Sequence, residues 1–451
     1  MVGLFMALID ITIVNITIPT LGEELDAPVH TVSWVLNAYN IVFAVVLVSM
    51  GRLADQFGRK RFFLIGLGVF TVGSLLCGIA GSIEQLIAFR ALQGLGAGIL
   101  APLALALTTL IFPPQQRGLG LALLAVVANA AAAIGPPLGG VLLEVASWHW
   151  IFLVNVPIGL VGIVMPARVM PETYDLEASR RVDMLGMALL GAAVFALTYA
   201  LVEANEAGWG SAEIVGLFAA FAVLTAAFAA SQRYGRHPML SAALVRNRQF
   251  VGASLAFVLF AIGVMGQLFL AVLLLTNLWG YTPLEAALAI TPVPAMGLLV
   301  APIVGRFADR VPPRVIGVPA LVAMAAGLLW FAVAPAEPHY VEVLGPLILT
   351  GAAMGAAFPA INVGAMGSVR GPELGLGSGI VNMSRQLGFA LGVAILVAVL
   401  ERHGTPSSPA EARDAFAESF RVAALFVLLA IPFALLMRRR PAEAGTPPAV
   451  G

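Results

Sequence analysis

The strongest constraint in this sequence is its repetition of apolar runs about twenty residues long, divided by short polar or Gly/Pro-marked breaks. Wound as an α-helix at ~1.5 Å per residue, such a run crosses the ~30 Å hydrocarbon core of a bilayer. Water is absent there, so each backbone amide needs a partner within its own helix. The breaks mark about fourteen spans by this length rule. One set lies near 2–21, 34–53, 62–80, 85–111, 119–143 and 150–170, and a second near 251–275, 284–304, 315–334, 341–366, 376–400 and 420–437. Two further runs, near 184–202 and 212–230, fall between the sets. The expected fold is all-α and integral to the membrane, with six-helix units over 1–170 and 251–437. A two-helix insert with flanking loops occupies 171–250, and a tail 438–451.

Composition agrees with this reading and closes off others. Hydrophobic residues make up 60% of the 451 positions and charged residues 11%, which a soluble domain does not show. The formal net charge is zero, so no nucleic-acid partner is implied. Cys77 is the single cysteine, which rules out an internal disulfide, and its place in an apolar run makes it a small core residue. Lys60 is the single lysine and follows Arg59, so the Gly-Lys-Ser/Thr of a phosphate-binding loop is missing and the chain is not its own ATPase. The first run has no basic flank and no small-residue cleavage site after it, unlike a cleavable signal peptide. Its abrupt start at Met1 reads as a minimal first helix or as one lacking upstream residues. No metal or cofactor is expected.

The densest charge is GRLADQFGRKR, Gly51 to Arg61, between the second and third runs. Charge must sit in water, so this is expected to be a short loop at the membrane edge. Gly51 and Gly58 permit a tight reversal, Asp55 suits an exposed helix N-terminus, and Arg59, Lys60 and Arg61 mark the cytoplasmic side. A shorter copy, Gly305 to Arg310 with Asp309, lies between two later runs, so the chain reads as two related halves. Of the 24 Lys and Arg residues, 19 map to the same side as these loops, three to the other and two within spans, which puts both termini in the cytoplasm. The outer segment Glu401 to Ser419 is charged and turn-rich and reads as a solvated loop.

The pattern G-x-L-A-D-x-x-G-R-K resembles the signature loop of the major facilitator superfamily, with Gln56 where that family more often has a basic residue. The resemblance implies two six-helix bundles that rock about a central site. Further motifs follow in order along the chain. LIDITIVNITIP, Leu8 to Pro19, resembles the first-helix signature of the fourteen-helix drug:proton antiporters, and RALQGLGAG, Arg90 to Gly98, resembles their fourth-helix motif. AIGPPLGG, Ala133 to Gly140, resembles the G-P-x-x-G-G motif of antiporters, carried here by Gly135, Pro136, Gly139 and Gly140. WHWIFLVNVPIG, Trp148 to Gly159, resembles their sixth-helix entry, with His149 in place of arginine.

Asp10 is the one acid deep inside a run. About ten residues from the end of its span, it lies ~15 Å along the helix, near the bilayer midplane. An ionised aspartate there costs ~2.5–3.5 kcal/mol, so it faces a cavity or is protonated part of the time. That makes it a proton carrier or, in the plainer alternative, a structural hydrogen-bonding group. In the resembled family the aspartate is tied to proton coupling. A buried Arg90 needs a carboxylate or several carbonyls. The resemblance links it to proton transfer; otherwise it pins helices together. His30, His149, His237, His339 and His403 all map to loops or edges, leaving proton work to carboxylates.

Gly94 and Gly98 are spaced for close helix packing. The prolines after Gly135 are expected to bend their helix, and Trp148 and Trp150 read as an interfacial belt. Glu203 is a solvated edge acid or a second coupling site. Arg385, in NMSRQLGFALG, is a bundle anchor or a cavity residue. Asn37, Tyr39, Phe260, Gln267, Asn362 and Asn382 are possible pocket walls whose facing the sequence does not fix.

The function implied is export of a hydrophobic or amphipathic drug-like compound in exchange for protons, by a monomer in a bacterial inner membrane whose partners are substrate, protons and lipid. Export of an endogenous metabolite or lipid is the nearest alternative, and a membrane receptor or intramembrane enzyme the distant one. The histidine map leaves no metalloenzyme ligand set within the spans.

Overall fold

The computed structural model describes residues 2–111, 117–174, 183–235, 238, 240, 242–308, 311–369, 374–403 and 408–438, and helix is the only regular structure among them. The first eight helices are α1 (Val2–Asn15), α2 (Ile18–Glu24), α3 (Val29–Phe57), α4 (Arg59–Cys77), α5 (Ile83–Ile111), α6 (Arg117–Val145), α7 (His149–Leu153) and α8 (Asn155–Val169). Next come α9 (Met184–Ala207), α10 (Ala212–Tyr234) and α11 (Ala242–Arg246). The rest are α12 (Arg248–Leu273), which continues as a π turn to Leu278, then α13 (Pro283–Ile290), α14 (Pro292–Ala308), α15 (Pro313–Phe331), α16 (Tyr340–Met366), α17 (Leu374–Glu401) and α18 (Pro409–Ala434).

Twelve of these helices are long and apolar enough to cross a membrane, and thirteen if the bent pair α1–α2 is one span. These counts are of the described residues; the fifth expected run corresponds to α6, which is 29 residues long. The 61° bend between α1 and α2 has a local cause. Pro19 lacks the N–H that would continue the ladder and instead sits in the first turn of α2. By contrast, α6 runs on through Pro136 and Pro137 without a break in its helical assignment.

Three local expectations are corrected. The charged stretch is hardly a loop: Gly51 to Phe57 are the last turns of α3, and Gly58 alone separates them from α4. Gly58 has φ +113°, a conformation that side chains disfavour, and an added Cβ would lie 2.7 Å from Glu172 Cδ. Glu172 caps α4, accepting from the backbone N–H of Lys60 at 2.9 Å and of Arg61 at 3.1 Å. Glu172 is thus an acid at this helix N-terminus; the side chain of Asp55, expected there, lies outside the described residues, as do Asp309 and residues 439–451.

The second correction concerns Glu401 to Ser419. Ser408 caps α18 and Pro409 starts it, so the helix begins well before Phe420. Phe416, Phe420 and Val427, at helical spacing, are all buried. Third, only Trp150 is exposed as a belt residue should be; Trp148 is buried and stacks on His149 at 3.8 Å.

Packing follows the two sets of runs. In the first, α3 and α4 flank α5, α8 lies on α4, and α1 lies on α6; in the second, α12 holds α17 and α18, while α16 joins α14 and α15. The sets meet along two seams, α3 with α17 and α6 with α13 and α14. Helix α9 fits over the first seam, where Trp34, Ile41, Val194, Val202, Ala390 and Ala394 form a small shared core. Only 6% of the span in α10 is buried, and its partner is α9, so it is a peripheral helix.

Small residues set the closest approaches. A Cβ on Gly94 would meet the backbone of Tyr39, and one on Gly98 would meet Val46 and the Phe43 carbonyl, so α5 lies directly on α3.

Candidate functional site

The fold brings Asp10 and Arg90 into direct contact. Arg90 Nη1 donates to Asp10 Oδ2, and both side chains are fully buried. Arg90 sits two turns into α5 and Asp10 near the middle of α1, so the pair ties these helices together inside the first bundle. Arg90 Nε also donates to the Val35 carbonyl of α3 at 2.9 Å, and the guanidinium lies 4.2 Å from the centre of the Tyr39 ring. The Tyr39 hydroxyl donates to the Ala7 carbonyl at 3.1 Å, which closes the α1–α3 side.

The sequence reading did not assign the rest of this network. Gln93 Nε2 donates to Asp10 Oδ1 at 2.8 Å, while Gln93 Oε1 accepts from Arg90 at 2.7 Å. Ser74 Oγ accepts from Gln93 at 3.0 Å and from Asn155 at 3.2 Å, and Asn155 also reaches Asp10 Oδ1 at 3.5 Å. A signal for Gln93 was present, because it stands one turn after Arg90 and shares its face. Asn155 is likewise an amide within an apolar run. A fixed ion pair supplied with several donors is the form in which buried charge is tolerated.

Beside this network, between the two sets of helices, lies a cavity of about 630 Å³. Leu8, Ile11 and Thr12 of α1 line it, so that helix presents one face to the cavity and the other, with Asp10, to the polar network. Pro136 of α6 and residues of α12, α13, α14, α16 and α17 complete the walls. Asn362 and Arg385 are among the lining residues. Asn37, Tyr39 and Gln267 are not: Tyr39 is turned onto Arg90, and Gln267 donates to the Thr350 hydroxyl at 2.6 Å. Asn37 is buried with neither side-chain polar atom paired. Phe260 packs on Phe358 at 5.1 Å, and Asn382 donates to the Ser378 carbonyl.

The glycines of the α6 motif lie on two interfaces. A Cβ on Gly135 would strike Thr12, and one on Gly139 would lie 2.7 Å from Ile16, both on the first span. One on Gly140 would lie 2.8 Å from Leu284 Cα and Ala287 Cβ of α13, across the seam. At the same end of the molecule, the backbone N–H of His30 donates to Glu401 of α17 at 2.9 Å. The buried ring of His30 stands 3.5 Å from both Glu401 and Glu206, and one of its ring nitrogens and a carboxylate oxygen of each of Glu203 and Glu206 lie within 4.8 Å of one another. Glu203 therefore sits in a cluster with His30 and Glu206, and no local feature of the chain marks His30 as enclosed.

The comparisons with known proteins agree with this architecture. The Major Facilitator Superfamily family model matches residues 1–265 and 253–451. "Multidrug resistance protein Stp" of Mycobacterium tuberculosis is 33% identical over 399 residues, covering 88% of this chain and 74% of that protein. "Puromycin resistance protein pur8" of Streptomyces alboniger is 34% identical over 438 residues, covering 94% and 86%. A crystal structure of the peptide transporter POT superposes with a TM-score of 0.67 at 17% identity, covering 97% of this chain and 94% of that one, a likeness of fold. The chain belongs to the Major Facilitator Superfamily, and it is a transporter and not an enzyme.

Proposed function

We propose that the protein exports hydrophobic or amphipathic drug-like compounds in exchange for protons, by alternating access. The observation that carries this reading is the shared helix α1, with a largely apolar cavity on one face and the buried Asp10–Arg90 pair on the other. The cavity volume is in the range of small-molecule sites. The names of its relatives, multidrug resistance and puromycin resistance, support drugs as cargo.

In this mechanism a compound entering the cavity presses on Leu8, Ile11 and Thr12 and displaces α1. The displacement changes how Asp10 meets Arg90, Gln93 and Asn155, and so its hold on a proton. Gly135 and Gly139 seat α6 on the first span, and Gly140 seats it on α13, so the same helix senses both halves. The halves are residues 1–170 and 251–437, with 171–250 as the insert and both termini cytoplasmic in an inner membrane. The His30–Glu401 end is then the outer face, closed in this state.

The test is substrate-driven proton release from proteoliposomes holding the purified protein, after a resistance and accumulation screen in an efflux-deficient host has supplied a compound. Proton movement that tracks the compound in wild type and is lost in Asp10→Asn supports antiport. Gradient-driven export that persists in Asp10→Asn refutes the role of Asp10.

A further inference from the structure

The cavity wall carries one charge that no counter-charge among the described residues answers. Arg385, about three turns into α17, is among the lining residues, and no carboxylate is. Its Nε is buried without a hydrogen-bond partner, and no ion pair among the described residues includes it. The neighbouring buried acid is unavailable, because Asp10 pairs with Arg90 behind α1.

The other side-chain donors on the wall already have partners, while Asn15 Oδ1 is a buried acceptor without one. The Thr12 hydroxyl donates to the Ile9 carbonyl at 3.0 Å, the Asn15 amide to Ile11 at 2.7 Å, and the Asn362 amide to Phe358 at 2.9 Å. Elsewhere the lining is apolar, with Phe358, Phe389 and Met354 on the same side as Arg385 in the chain's second half.

An arginine keeps its charge at physiological pH, and its planar fork of N–H donors matches an acidic oxyanion in two-point fashion. In an apolar surround such a charge is strongly unfavourable unless water or a counter-charge meets it. Low-dielectric walls also extend its field across the cavity, so a lipophilic cation entering there meets a like charge.

We infer that this cavity selects amphipathic organic anions, holding an apolar body against its walls and a carboxylate- or sulfonate-type head group on Arg385, and that it disfavours lipophilic cations. The inference rests on the export reading of the same cavity and gives it a substrate class.

The test uses the purified full-length protein and three probes with one apolar body: 1-naphthaleneacetate, its N-methylamide, and (1-naphthylmethyl)trimethylammonium. Binding is measured by equilibrium dialysis in detergent and transport by counterflow in proteoliposomes. The anion is expected to bind about tenfold more tightly than the amide, the worth of one charge-assisted contact, with the cation weakest. Arg385→Gln is expected to bring the anion within about twofold of the amide, whereas Arg385→Lys keeps part of the preference because it retains the charge and loses the fork. If Arg385→Gln does not fold, the wild-type order and Arg385→Lys decide. A cation that binds as well as the anion, or an unchanged preference in Arg385→Gln, overturns the head-group assignment while leaving export intact. Absence of saturable binding and counterflow for all three probes overturns both.

Discussion

The Asp10–Arg90 pair allows stability and coupling to be separated. Replacing Asp10 by Leu leaves the guanidinium buried with the Val35 carbonyl, the Gln93 side chain and the Tyr39 ring, but with no anion. Replacing Arg90 by Met leaves the carboxylate with only the amides of Gln93 and Asn155. Breaking a buried pair from either side costs about 3–5 kcal/mol, and the remaining dipoles place these two near the lower end. Removing both charges leaves no uncompensated ion, so Asp10→Leu/Arg90→Met should fall within about 1 kcal/mol of the wild type. Unfolding by SDS titration in mixed micelles reads the cycle. Proton-driven transport reads function, and the double variant should be stable yet unable to couple. A double variant as unstable as the sum of the singles would mean that the two charges do not stabilise each other. Export driven by a pH gradient in that variant would place the proton on another residue.

Other outcomes follow from particular contacts. Gly139→Leu inserts bulk where a Cβ alone would lie 2.7 Å from Ile16, whereas Pro136→Ala restores a backbone donor at the cavity wall, so the glycine change should lower transport more at matched expression. Glu401→Ala removes the acceptor of the His30 backbone N–H across the seam; losing about 1 kcal/mol of contact should raise maleimide labelling of Ser33→Cys, in a Cys77→Ala background, on the order of fivefold. Unchanged labelling would show that this bond does not hold the halves together. Gly58→Ala forces a side chain into φ +113° and onto Glu172, so it should lose about 1–2 kcal/mol in the same SDS titration, and a neutral result would place the turn elsewhere.

The sequence alone determined a great deal here because a bilayer leaves few options. Apolar runs of fixed length must be helices, so the all-α fold and most spans were legible from hydropathy, and the depth of Asp10 and Arg90 in their runs marked them as costly groups in need of partners. Ends and facings were decided by tertiary structure. Residues 409–419 look like a solvated loop on charge, yet Phe416 and Phe420 find a buried face against the second bundle, and α18 extends to meet it. Glu172 reaches the N-terminus of α4, and that it does so depends on where α8 ends, which the sequence around Gly58 does not contain. Tyr39 and Asn362 are both polar residues inside apolar runs, and nothing local says that one turns to Arg90 and the other to the cavity. His30 is an edge residue by position and a buried bridge in the fold, because its neighbours Glu206 and Glu401 come from helices α9 and α17, far away in the chain. Hydropathy reports how deep a residue lies along its own helix, whereas its facing is set by packing against helices that the local sequence does not contain.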